Sequence, residues 1–83
     1  MNERHSEKSV GQISAIAQWH ALLRDEVALL MNPGAHHKTL LRQAHALHRD
    51  HVIDHNDLSD LLEQADGALA YAVETLFDRQ FGQ

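Results

Sequence analysis

The chain has 83 residues, a formal net charge of −5 with histidine neutral, eight histidines and no cysteine. Without cysteine we expect no disulfide, no iron–sulfur cluster and no thiolate zinc site, and the negative charge argues against nucleic-acid binding. No apolar run approaches ~18 residues and residues 1–9 are polar, so we expect neither a membrane span nor a signal peptide. These limits favour a single small cytoplasmic domain that is not an enzyme, since a substrate pocket would consume much of so small a core.

The N-terminal part is expected to hold a tail and then a long helix. Residues 1–8 lack apolar periodicity and are predicted to be a flexible tail. Ser9 and Gln12 have the spacing of a capping box, so a helix is predicted over about residues 9–31. This helix is apolar on two adjacent faces, and one neighbouring helix cannot cover both. The faces consist of Ile13, Ile16, His20, Leu23, Val27 and Leu30, and of Ala15, Trp19, Leu22 and Leu29.

A second helix is predicted over about residues 33–51. Asn32 suits its N-cap and Pro33 its first turn, where the missing N–H costs nothing. The connection to the first helix is therefore short, which favours antiparallel neighbours. The inner face is predicted to be Leu41, Ala44, His48 and His51.

A third helix is predicted over about residues 54–79. Asp54 suits its N-cap, while Ile53 and Leu58 have the spacing of a hydrophobic staple. The resulting fold class is all-α, a small three-helix up-down-up bundle within one domain over residues 9–83. Because the heptad spacing continues unbroken from the second helix into the third, a helical hairpin with one long second helix over residues 34–79 is the alternative.

The histidines allow three interpretations. His48, His51 and His55 would share one face of an extended second helix, where imidazoles three or four residues apart can bind zinc or nickel. No His-Glu-x-x-His or cysteine partner accompanies them, so we expect no cofactor and interpret His20, His48 and His51 as inward-facing structural residues. The third interpretation is a pH sensor, since imidazole titrates near pH ~6.5.

The remaining histidines of the second helix, His36, His37 and His45, are expected on its surface. His45 lies within a basic stripe formed by Lys38, Arg42 and Arg49. Such a stripe suits a nucleic-acid-binding regulator, which we keep as a second alternative. Residues 52–83, however, carry seven acids against one arginine, so a solvated face is the simpler interpretation and nucleic acid is not the expected partner.

Surplus apolar side chains are the strongest functional signal. Large side chains on the first and third helices exceed what one short second helix can cover, and exposed apolar patches usually mark partner surfaces. The alternative is that the first and third helices cover each other. We predict a non-enzymatic protein–protein interaction module, a small regulator, adaptor or inhibitor that forms a homodimer. The predicted partner-binding residues are Trp19, Leu22, Leu29, Tyr71, Phe77 and Phe81.

Overall fold

The structure is a computed structural model that describes residues 9–81, and these residues form helices and no strand. The all-α class is confirmed, and the predicted count of three helices is wrong because four are present in this part of the chain. The predicted tail, residues 1–8, lies outside the described residues. The helices are α1 (Val10–Leu23), α2 (Glu26–Met31), α3 (Pro33–Arg49) and α4 (His55–Phe81).

The predicted helix over residues 9–31 is broken into α1 and α2. The Arg24 N–H donates to the His20 carbonyl and the Asp25 N–H to the Leu22 carbonyl, both at 3.1 Å, which closes α1. Asp25 then caps α2, its carboxylate accepting a hydrogen bond from the Ala28 N–H at 3.2 Å. Aspartate is among the strongest N-cap residues, so this local bond competes with continuing the helix.

The junction between α3 and α4 rules out one continuous helix over residues 34–79. The His51 N–H donates to the His48 carbonyl at 3.0 Å and the Val52 N–H to the Leu47 carbonyl at 2.9 Å, the two bonds of a Schellman motif. Such motifs need a left-handed residue at their end, and His51 takes that conformation with φ of 63°. His51 therefore lies outside the helix and is exposed, which corrects its predicted place on the inner face.

The start of α4 is fixed by reciprocal side-chain bonds. The Asp57 N–H donates to Asp54 Oδ1 at 2.8 Å, and the Asp54 N–H donates to Asp57 Oδ2 at 3.2 Å. This satisfies two backbone donors that a helix start would otherwise leave free. From this turn α4 runs back along α3, where His37 contacts Asp66.

The core lies where α1 and α3 meet α4. At its centre the Trp19 indole N–H donates to the Leu40 carbonyl of α3 at 2.9 Å, which satisfies the one polar atom of a buried side chain. The molecule measures 58 × 19 × 17 Å, with a radius of gyration of 15.3 Å against about 12 Å for a compact domain of this length. The buried core cluster is Trp19, Leu40, Ala44, Ile53, Leu58, Leu61 and Ala65.

Candidate partner-binding surface

The largest exposed apolar side chains of α4 lie near its C-terminal end. Val73, Phe77 and Phe81 are 54%, 60% and 70% exposed, respectively, and we call these three residues the phenylalanine stripe. They are four residues apart, so they form one ridge along the helix. The rings of Phe77 and Phe81 are 4.7 Å apart between centroids and tilted by 47°. A contiguous apolar ridge therefore faces solvent.

A second apolar surface lies between α2 and α4. Val27 and Met31 of α2 are exposed. They border an open groove of about 490 Å³. The Tyr71 hydroxyl on α4 donates to a carboxylate oxygen of Glu26, which ties the start of α2 to α4. The groove is lined by Glu26, Val27, Leu30, Met31, Leu76 and Arg79.

The six predicted partner-binding residues divide into buried and exposed groups. Trp19 and Leu29 are buried, and Leu22 is half-buried against the core, so the fold itself occupies these three side chains. Their placement corrects the expectation that the apolar face of the first helix is free for a partner. The exposed members are Tyr71, Phe77 and Phe81.

Sequence reasoning missed Val73, Val27 and Met31. Val73 precedes Phe77 by one helical turn, and that spacing could have placed it beside the predicted aromatic residue. An unbroken first helix would place Val27 on the same apolar face as Leu23, and the break at Asp25 removes that register.

The opposite end of the molecule also carries exposed apolar side chains. Val10 and Ile13 lie in the first turns of α1 and are exposed. One turn further along, Ile16 borders a cavity shared with Ile53 and Asp57 at the start of α4. Val10 and Ile13 are therefore remote from the phenylalanine stripe and offer a matched control surface.

The histidines are distributed differently from the prediction. His36, expected on the surface, is only 6% exposed, and its Nε2 finds no hydrogen-bond partner within residues 9–81. His37 on the next position bonds Asp66 of α4, with Nε2 to Oδ1 at 2.8 Å. His20 is half-buried with its ring edge-on to Trp19, the two centroids 5.4 Å apart. The buried imidazole on α3 is therefore His36, not a member of the predicted inner face.

Two of the three predicted metal ligands lie close together. The rings of His48 and His55 are 6.3 Å apart between centroids, across the turn that joins α3 to α4. His51 lies in that turn, exposed, with left-handed backbone. No group of three or more metal-ligating side chains occurs among the described residues.

The predicted basic stripe on α3 faces solvent along its whole length. Lys38, Arg42 and Arg49 are exposed, as is His45 between them. The Arg49 Nε lies 4.0 Å from the Asp50 carboxylate, a surface pair of the kind that contributes little to stability. The stripe is thus accessible, and within residues 9–81 no ion pair joins it to α4.

No protein-family model matches this chain, and no curated protein or solved structure matches it significantly. Among the described residues, none of the helices combines the length and apolar character needed to cross a membrane.

Proposed function

We propose that this chain is a non-enzymatic protein-interaction module, a small cytoplasmic regulator, adaptor or inhibitor that binds a partner protein through the phenylalanine stripe. The proposal includes an up-down-up bundle of the helices and a homodimeric state. The observation that carries it is the exposure of two adjacent phenylalanines, with rings in contact, at one end of the molecule. Aromatic side chains of this kind commonly anchor protein interfaces.

Covering the two phenylalanine rings with a partner surface is energetically favourable. Burying a phenylalanine side chain fully is worth about 1.5–3 kcal/mol relative to leaving it in water. Phe77 and Phe81 forgo most of that gain within the monomer. A partner that covers both rings recovers it, and the pair is already arranged side by side, so little ordering is needed on binding.

The test compares two charge substitutions at opposite ends of the molecule. The full chain, Phe77→Glu and Ile13→Glu serve as baits in the native host, with quantitative mass spectrometry of the bound proteins. Ile13 is the matched control because it is 57% exposed, close to the exposure of Phe77. We expect a protein retained by the wild type and Ile13→Glu and lost from Phe77→Glu. Equal retention by all three baits would contradict the proposal.

Metal binding is a second candidate function, and the pairing of His48 with His55 favours it. Two histidine rings that face each other across a turn can each supply one nitrogen to a zinc or nickel ion, leaving other coordination positions to water. Calorimetric titration of untagged protein with zinc should show one site that His55→Ala removes and His51→Ala retains. Binding that survives His55→Ala would rule out this pair.

A further inference from the structure

We propose that the groove between α2 and α4 binds a basic amphipathic helix of a partner protein, at the position that α3 would occupy if it were longer. This inference rests on the proposed function and names the chemistry of the partner. The apolar side of the bound helix lies over Leu76 and contacts Met31 of α2 and Phe77 of α4. Its polar side carries lysine or arginine.

The apolar seam of α4 continues beyond the start of α3. Leu62 and Ala65 of this seam pack in the core with side chains of α3. α3 begins at Pro33, which is level with about residue 70 of α4, so the last turns of α4 have no α3 beside them. The same heptad spacing nevertheless continues through Leu69, Ala72 and Leu76. A helix is the element that this spacing fits.

The position beyond α3 has apolar walls on two helices. Val27 and Met31 of α2 are 72% and 81% exposed, and they line the groove together with Leu76. On the other side of Leu76, about 60° and 100° around α4, lie Val73 and Phe77 of the phenylalanine stripe. Two apolar walls on either side of an apolar floor are typical of grooves that bind an amphipathic helix.

The exposed area suits one short helix and a transient complex. Val27, Met31, Val73 and Phe77 together present roughly 500 Å² of exposed surface. The uncovered end of α4 is about 16 Å long, which is the length of three helical turns. A contact of this size buries on the order of 1,000 Å² over both molecules, as in weak signalling complexes, so we expect a dissociation constant in the micromolar range.

The charges at this end of the molecule favour a basic partner. The Glu26 carboxylate lines the groove and is held there by the Tyr71 hydroxyl. Exposed carboxylates outnumber guanidinium groups around the groove, and the whole chain is acidic. Lysine or arginine on the polar side of a bound helix is therefore attracted, whereas glutamate is repelled. The exposed charged residues of α2, of its start and of the end of α4 are Arg24, Asp25, Glu26, Glu74, Asp78 and Arg79.

The experiment is fluorescence anisotropy of a labelled synthetic peptide titrated with the full chain at about 0.15 M sodium chloride. The probe has about 18 residues of leucine and lysine, with leucine at positions i, i+3, i+4 and i+7. One reference peptide carries glutamate in place of lysine. The other has the leucine and lysine of the probe in alternating order, which gives a helix no apolar face.

The wild type should bind the leucine–lysine probe at least ~5-fold more tightly than either reference peptide. Tighter binding of the glutamate peptide overturns the basic character of the partner. Equal binding of the alternating peptide overturns the docking of a helix. A wild type that binds none of the peptides, whether it is monomeric or paired with a second copy in sedimentation velocity, overturns the proposal.

Three glutamate substitutions of equal charge locate the bound helix. Met31→Glu and Phe77→Glu, one on each wall, should each raise the dissociation constant of the probe at least ~10-fold while circular dichroism shows unchanged helix content. Ile13→Glu, at the other end of the molecule, should bind the probe no more weakly than the wild type. Charge attraction alone predicts the opposite, because an added carboxylate strengthens the binding of a cationic peptide. Undiminished binding by either wall variant overturns the proposal.

The two proposals fail separately. If Phe77→Glu loses a host protein but the wild type binds no leucine–lysine probe, the helix in the groove is wrong and the interaction module stands. If the wild type binds neither the probe nor a host protein through Phe77, both proposals are wrong.

Discussion

Replacing His36 by leucine is expected to stabilise the protein. His36 is buried on the face of α3 that also carries Leu40 and Ala44, and its Nε2 has no hydrogen-bond partner within residues 9–81. A buried polar atom without a partner costs about 1–3 kcal/mol, because it has lost its bond to water. Leucine removes this atom and also has the higher helix propensity, by a few tenths of a kcal/mol.

The expected gain in stability is the free energy recovered by removing the unpaired Nε2, minus the packing cost of a side chain with a different shape. Fitting a different side chain into a packed site typically costs below ~1.5 kcal/mol when volumes are similar. The net increase in the free energy of unfolding is therefore about 1–2 kcal/mol, which raises Tm by about 5–15 °C for a domain of this size. Urea unfolding monitored by circular dichroism and by the fluorescence of the buried Trp19 measures it.

The neighbouring histidine supplies the control. The His37 Nε2–H donates a hydrogen bond to the Asp66 carboxylate, so His37→Leu loses this contact and relieves no unpaired atom. We expect His37→Leu to leave stability unchanged or lower it by about 0.2–1 kcal/mol. If His36→Leu lowers the free energy of unfolding with an unchanged denaturant slope, the reasoning about the orphaned Nε2 is refuted.

Three further substitutions test local features by the same unfolding assay. A non-glycine residue in left-handed backbone, as His51 is, costs about 1–2 kcal/mol, and His51→Gly removes this strain. Because glycine also increases the chain entropy of the unfolded state, the expected net gain in stability is ~0.5–1 kcal/mol. His51→Ala should give no gain. Trp19→Phe removes the bond to the Leu40 carbonyl and leaves a cavity, and a loss of about 1–3 kcal/mol is expected; a neutral result would contradict the central place of this bond. Asp25→Ala removes the cap of α2 and should cost ~1 kcal/mol, while Asp25→Asn should cost far less.

The helix ends that depend on local bonds could be predicted from sequence. Ser9 and Gln12 form both bonds of the capping box, at 3.1 Å and 2.8 Å. Asn32 caps α3 by accepting a hydrogen bond from the Ala35 N–H at 3.2 Å. These interactions join residues three apart, so the sequence alone contains both partners.

The end of α1 could not be predicted in this way. The apolar stripe of the first helix continues past Arg24 and Asp25 with unchanged spacing. Aspartate is a strong N-cap residue, but an aspartate on the solvated side of a continuous helix fits the same sequence. The break is stabilised by contacts of α2 with both α3 and α4. Such contacts between helices cannot be predicted from the spacing of apolar residues.

Apolar spacing was also insufficient to predict which face of α3 is buried. Leu40 and Leu41 are adjacent, so helical periodicity supports two inner faces about 100° apart. The prediction used Leu41 and placed His36 outside, whereas the structure buries Leu40 and with it His36. Trp19 decides between them, because its indole bonds the Leu40 carbonyl from another helix.

The exposure of the phenylalanine stripe follows from helix lengths. The contact of His37 with Asp66 fixes α3 against α4, and counting back along α3 sets Pro33 level with about residue 70 of α4. The last ten or so residues of α4 therefore have no α3 beside them, and α2, only six residues long, covers one side. Phe77 and Phe81 contribute little to the folded monomer for this reason. Replacing either one by alanine should lower the free energy of unfolding by no more than about 1 kcal/mol, which is the part of the burial gain that the monomer retains.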